Sequence, residues 1–458
     1  MILFVVTLIV LAMLIVGYQM GVKKALASSG GSAGALHSRP GYYGTYIALW
    51  CALPAFALMA IWLIVQPIVI AAMIRGGLPP DIQAMPQEDF DLVMTAIRAI
   101  AGGTPPSNVE PYMEAAADRI GQLEAMGRWF MAPLVLIIAF AGAFFALRHI
   151  VPNLRARNNV ETVIKAVLII CSSIAILTTV GIVTSVLFEA MNFFSLIPPQ
   201  DFFFNPVWDP GFARAGEDHT QHDFGLIPLM WGTLFISFIA MCVAAPIGLM
   251  SAIYLSEYAT GRVRAVAKPL LEILAGIPTV VYGFFALTTM GPFLNTFGAA
   301  VGLDIQASSA LTAGLVMGIM IVPFVSSLSD DIISQVPQAM RDGSYGMGAT
   351  RSETIAKVVF PAALPGIVGG LLLAVSRAIG ETMIVVMAVG AAANLTANPF
   401  ESVTTVTVMI VKQLTGDNEF SSPQTLVAFA LGLTLFVVTL SLNVVALYVV
   451  RKYREQYE

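Results

Sequence analysis

Arg377 and Glu381 are the residues on which chemistry most directly converges. They stand in Ser376-Arg377-Ala378-Ile379-Gly380-Glu381-Thr382-Met383, inside an otherwise apolar run from Leu364 to Val389. A charge in such a run is costly to hold in hydrocarbon, so it faces a polar path or a partner. A guanidinium presents several N–H donors in a planar fork, which suits an oxyanion. On a helix, residues at this spacing share one face. Glu381 would then hold Arg377 when no anion is present and keep the path from being permanently cationic. The same two residues also read as a structural ion pair locking two helices, and the residues alone leave both readings open.

Other polar groups carry less. Glu272 follows Lys268 at i,i+4 spacing at the start of an apolar run and reads as an interfacial helix pair. His219 and His222 stand with Glu217, Asp218 and Asp223, which reads as a solvated polar loop rather than a metal site. Cys51, Cys171 and Cys242 all lie in apolar runs, as packing residues do, and not as a disulfide or metal set. No Gly-x-x-x-x-Gly-Lys-Ser/Thr stretch occurs, so this chain has no recognisable nucleotide-binding loop. Neither a Gly-x-Ser-x-Gly elbow nor a His-Glu-x-x-His pair occurs. No catalytic residues, metal or cofactor of its own are expected, and no nucleic-acid partner.

The elements that must position Arg377 and Glu381 are membrane helices. The 458 residues are 57% hydrophobic and 11% charged, whereas roughly a quarter of a soluble chain is charged. Apolar runs long enough to cross the hydrocarbon recur at 2–20, 44–74, 129–148, 160–190, 225–255, 266–291, 308–328, 361–395 and 425–450. The first has no basic residues before it and no clear cleavage site after it, so it is read as a retained helix rather than a signal peptide. Basic residues gather in 21–43 (Lys23, Lys24, Arg39), 148–159 (Arg148, Arg155, Arg157), 256–268 (Arg262, Arg264, Lys268) and the tail (Arg451, Lys452, Arg454). By the positive-inside rule these segments face the cytoplasm, which puts the N-terminus outside and the C-terminus inside. Acidic 195–224 then lies outside. So does 75–128, a small polar cap with short helices expected at Asp91–Arg98 and Pro111–Met126 around the turn Gly102-Gly103-Thr104-Pro105-Pro106. Residues 1–158 are expected to form an N-terminal module and 159–458 a second.

The same topology leaves a polar insert at 329–360 inside. Gly343, Ser344, Gly346, Gly348 and Ala349 give it little side-chain bulk, so a partner surface can approach its backbone closely. Pro361 suits the first turn of a following helix. The insert reads as a docking elbow on the membrane surface.

Here the chain resembles a known family. Asp342-Gly343-Ser344, three residues, Gly348, nine residues and Val358-Val359-Phe360-Pro361 resemble the "EAA" loop of ABC-importer permeases: Glu-Ala-Ala, three residues, Gly, nine residues, Ile, any residue, Leu-Pro. Asp for Glu, and Gly and Ser for the two Ala, are departures. From about Glu161 to Tyr453 the chain resembles the PstC family of phosphate-transport permeases, within the CysTW-like binding-protein-dependent permeases. The resemblance is carried by Asn192 to Pro198, Asp201 to Phe204, Trp208 to Pro210, Pro246 to Leu249, Ala252 to Tyr258, Glu272 to Phe285, and above all Arg377 to Met383. The PstA family shares much of this, but Glu381-Thr382-Met383-Ile384-Val385-Val386-Met387 is closer to PstC. Residues 1–158 resemble an N-terminal extension of longer members.

The resemblance implies an all-α, polytopic type I importer permease core of about six helices, with about three more in the extension. It implies an inner-membrane permease subunit for inorganic phosphate. Arg377, Glu381 and Thr382 would form the path and gate. Asp342, Gly343, Ser344, Tyr345, Gly346, Gly348, Ala349 and Arg351 would form the ATPase-coupling loop. The implied partners are a PstA-like permease, a PstB-like ATPase dimer that binds ATP and Mg, a PstS-like periplasmic phosphate-binding protein, and the lipid bilayer. A permease for another oxyanion is the neighbouring alternative. An ion-coupled secondary transporter would call for several intramembrane carboxylates and inverted repeats, and few such carboxylates occur.

Overall fold

The structure, a computed structural model, describes residues 2–83, 85, 87–103, 110–210, 224–416 and 422–454. The His219–His222 cluster lies outside the described residues. Every regular element among the described residues is a helix; a single isolated β-bridge joins Trp208 to Phe224. Nine described helices are long and apolar enough to cross a membrane, as the apolar runs predict. The chain divides into two compact units, Met1–Leu177 and Thr178–Glu458, the division falling inside one long helix.

The first unit contains α1 (Ile2–Ser28), α2 (Pro40–Arg75), α3 (Gln87–Ala101), α4 (Pro111–Arg148) and the start of α5 (Ala156–Leu196). Buried Tyr43 on α2 donates its hydroxyl to the carbonyls of Pro152 and Leu154, at 2.9 and 3.1 Å, and so pins the turn that follows α4. In the segment between α2 and α4, Phe90, Met94 and Ile97 of α3 pack with Ile74 of α2 and Ile120 of α4. The expected short helix from Pro111 does not stop near Met126. It runs unbroken into the expected span at 129–148, because nothing in Gly127-Arg128-Trp129 interrupts the ladder and Pro133 does not end it.

The second unit is built around α9. In order come the end of α5, α6 (Ile227–Tyr258, its last turn a π turn), α7 (Gly261–Ala275), α8 (Thr279–Val301), α9 (Ala310–Gln335), α10 (Gln338–Gly346), α11 (Arg351–Ile379), α12 (Met383–Ala388), α13 (Val406–Gly416) and α14 (Pro423–Arg454). α9 is the most buried span, with Ala313, Val316, Met317 and Ile321 in the main apolar cluster. It lies close against α6 because both helices put small residues at the contact. A Cβ on Gly314 would come within 2.5 Å of Ile239, and one on Gly318 within 2.9 Å of Val243.

Two spans differ from expectation. The run expected at 266–291 is two helices. α7 ends at Gly276, and Pro278 starts α8 as the residue before its first turn. Arg262, Arg264 and Lys268 give α7 a polar face, and the spanning helix is α8. The run expected at 361–395 begins earlier and ends sooner, as α11. A capping box starts it: Thr350 Oγ1 accepts from the Glu353 amide at 3.4 Å while the Glu353 carboxylate accepts from the Thr350 amide at 3.0 Å. Pro361 therefore lies inside the helix, directly after a π turn at Ile355–Val359. Gly380 closes α11, and residues 389–405 run without regular structure before α13.

Candidate functional site

α11 carries Arg377 in its last turn and delivers it against α9. Its guanidinium carbon lies 5.2 Å from the centroid of the Phe324 ring, and Nη2 is 3.9 Å from the Met320 sulfur. Phe324 stands near the middle of α9, about 20 Å along the axis from its start. A ring face attracts a cation but accepts none of its hydrogen bonds in the way a carboxylate does. No ion pair among the described residues involves Arg377. Its planar fork therefore retains donors for an anion.

Glu381 is placed differently from the sequence expectation. α11 ends at Ile379, so the helical face that Arg377 and Glu381 were expected to share does not extend to Glu381. The Glu381 carboxylate instead accepts from the amides of Met383 and Ile384, at 3.1 and 3.3 Å, and caps the chain's re-entry into α12. These amides are orphaned at any helix start, and a near carboxylate satisfies them without reaching across to Arg377. Thr382 folds back to the Gly380 carbonyl at 3.3 Å. Thr407, at the start of α13, donates to the Glu381 carbonyl at 2.9 Å and fastens the break.

The irregular stretch from 389 to 405 finds partners for its backbone groups on neighbouring elements. The amides of Gln306, Ala310 and Leu311 donate to the carbonyls of Phe400, Glu401 and Pro399, at 3.0, 3.0 and 2.9 Å. Trp231 Nε1 donates to the Thr396 carbonyl at 2.8 Å. Thr233 Oγ1 accepts from the Val406 amide at 3.0 Å. On Glu401, which belongs to none of the membrane-spanning helices, hydrogen bonds from Thr396 and then Asn398 hold the carboxyl below the usual glutamate range.

The elbow is a second site. α9 stops at Val336-Pro337, α10 runs as one short helix, and Gly348 turns the chain at φ +85°, a conformation that favours glycine. Asp342, Gly343, Tyr345, Gly346, Gly348 and Arg351 are exposed, and Ala349 is half-buried. Ser344 points inward and shares a 2.9 Å hydrogen bond with Thr354, so it pins α10 to α11 rather than meeting a partner. Sequence reasoning missed Met347, which stands at the apex 89% exposed. An apolar side chain that open, on an otherwise polar insert, was the available signal.

Charge pairing beside the elbow was also missed. Lys268 does not pair with Glu272. It reaches across to Asp330 at 2.8 Å and Asp331 at 3.2 Å, while Arg264 joins Asp330 at 2.9 Å. Asp330 is buried and needs both cations, so its carboxylate outcompetes the exposed helix neighbour Glu272 for Lys268. The Asp330 carboxylate pushes the Lys268 ammonium above the ordinary lysine value. Two acids ending an apolar run were the readable sign that some base must turn toward them.

Comparison with known proteins follows the same division. Residues 7–178 match a family described as phosphate ATP-binding cassette transporter, and residues 244–455 match the binding-protein-dependent transport system inner membrane component. The probable ABC transporter permease protein YqgH of Bacillus subtilis is 31% identical over 276 residues, covering 60% of this chain and 84% of that protein. The phosphate transport system permease protein PstC of Mesorhizobium japonicum is 34% identical over 247 residues, 50% of this chain and 74% of that one. PstC 1 of Mycobacterium tuberculosis is 34% identical over 276 residues, 55% and 81% of the two chains. A solved chain of the inward facing MetNI methionine ABC transporter aligns at TM-score 0.38 and 18% identity, over 50% of this chain and 95% of that one.

Proposed function

We infer the function from one premise: this chain belongs to the family of binding-protein-dependent transport system inner membrane components, the permease subunits of ABC importers. It is a multi-pass membrane protein of the PstC type, and its cargo is inorganic phosphate. The observation that carries the substrate reading is Arg377, a cation near the middle of α9 with no carboxylate paired to it among the described residues. A guanidinium in that position attracts a tetrahedral oxyanion and offers it a planar fork.

Arg377 takes phosphate, the break at 380–382 shapes the path beside it, and the elbow meets the ATPase. The partners proposed are a PstA-like permease, a PstB-like ATPase dimer holding ATP and Mg, and a PstS-like binding protein that delivers phosphate. ATP binding draws the ATPases together and opens the path outward; hydrolysis resets it. Residues 1–158 are an addition to this transport core.

The test is ATP-dependent uptake of radiolabelled phosphate into proteoliposomes holding the assembled importer, with sulfate and molybdate as competitors. Uptake blocked by excess phosphate alone supports the reading. Uptake suppressed equally by another oxyanion, or no uptake with binding protein and ATP present, rejects phosphate as the cargo.

A further inference from the structure

Arg341 directly precedes the elbow's sequence signature, yet its side chain is turned into the protein. Asp342, Gly343, Tyr345 and Gly346 of α10 are exposed, whereas Arg341 is buried. Its guanidinium donates to the carbonyls of Val336 and Ile333, the last of these at 2.8 Å, which closes the C-terminus of α9. The same group pairs with Glu257 in the terminal π turn of α6 at 2.9 Å, with both side chains about nine-tenths buried. One side chain on α10 thus grips two spans. A cation is favoured at the carbonyl end of α9 by the helix dipole, and the carboxylate fixes its direction.

We propose that the Arg341–Glu257 pair is the positioning contact through which movement of the docking elbow reaches α6 and α9. The proposal rests on the importer reading above. α9 carries Phe324 and Met320 against Arg377, so displacement of its cytoplasmic end is transmitted along a rigid, buried helix to the cation. Glu257 anchors α6, which packs closely along the same helix, so the two spans move with α10 rather than past it. Ser344 supplies a third attachment, to α11. Energetic coupling needs a contiguous physical link between the two sites, and this pair supplies it at the elbow end.

The experiment uses the complete importer in proteoliposomes and reads three quantities: ATPase retained on the complex, ATP hydrolysed, and inorganic phosphate taken up. Glu257→Gln keeps shape and removes charge without stripping the Arg341 bonds to the α9 carbonyls. It is expected to retain the ATPase and to hydrolyse ATP, with phosphate taken up per ATP lowered by about fivefold or more. Glu257→Asp keeps the charge and is expected to recover much of the ratio. An unchanged ratio in Glu257→Gln overturns the proposal. So does loss of the ATPase from the complex, since the pair would then shape the docking surface rather than transmit from it. The wild-type arm reports separately on the importer reading: with no ATP-dependent phosphate uptake there, the cargo is wrong.

Discussion

Arg377 stacks on Phe324, with 5.2 Å between the guanidinium carbon and the ring centroid, while Glu381 turns its carboxylate to the amides of Met383 and Ile384. The two charges therefore do different work. Arg377→Gln removes the donors an oxyanion would use, and uptake should fall about 10- to 150-fold, the equivalent of about 1.5–3 kcal/mol for hydrogen bonds to a charged group. Glu381→Gln keeps an acceptor for both amides and should slow uptake about threefold or less, whereas Glu381→Ala should cost about 1 kcal/mol of stability through the lost cap. Radiolabelled phosphate uptake, normalised to inserted protein, checks the first two, and thermal unfolding in detergent checks the third. Equal collapse in Arg377→Gln and Glu381→Gln would place the Glu381 charge in the path itself.

The elbow permits a cleaner docking test than its left-handed glycine. A Cβ on Gly343 meets nothing within 4 Å, whereas Gly348 has φ +85° and strains any L residue. Gly343→Trp should leave insertion and melting unchanged but reduce co-purification of the ATPase, and Met347→Ala should weaken it to a lesser degree. Gly348→Ala should instead cost about 1–2 kcal/mol of backbone strain. If Gly343→Trp binds ATPase like wild type, docking lies elsewhere.

Asp330 is the buried partner of Arg264 and Lys268, whose side chains are 37% and 30% exposed. Breaking a fully buried pair costs about 3–5 kcal/mol, and the partial exposure of both cations reduces the expected loss to about 1–3 kcal/mol. Asp330→Asn should therefore lower the melting temperature in detergent and free α7 to proteolysis. Asp331→Asn, which leaves Asp330 satisfied, should do neither.

Glu401 offers a pH test. Hydrogen bonds from Thr396 and Asn398 hold its carboxyl below the ordinary value of 4.5. A depressed folded value means the stabilisation is complete above the unfolded value and is lost as pH falls through the folded one. Wild type should thus outlast Glu401→Gln at neutral pH, with the difference constant down to about pH 5 and closing below about pH 4. A difference that grows on acidification would contradict the assignment.

The four basic segments predict the orientation. In a background lacking Cys51, Cys171 and Cys242, single cysteines at Gln122 and Gly346 should label from opposite sides of intact cells. Both positions are exposed on the surface of the chain. Labelling from the same side would refute the arrangement with the N-terminus outside.

The number of spans, the unusual Arg377 and Glu381, and the Asp342-to-Pro361 pattern were all legible in the residues. Each depends on local composition or spacing: an apolar run of sufficient length must be a helix in hydrocarbon, and a charge within it is conspicuous. Helix ends were partly legible too, since Thr350 and Glu353 have capping-box spacing. What the linear order could not decide was which partner each charge takes. Arg377 meets Phe324, Lys268 meets Asp330, and Arg341 meets Glu257, and all three pairings join residues more than fifty positions apart. Glu381 lost its expected helical neighbour because α11 ends at Ile379 and the next amides lay closer. Helix periodicity places residues only on their own element, and the competition among donors and acceptors for a buried charge is settled when the elements pack.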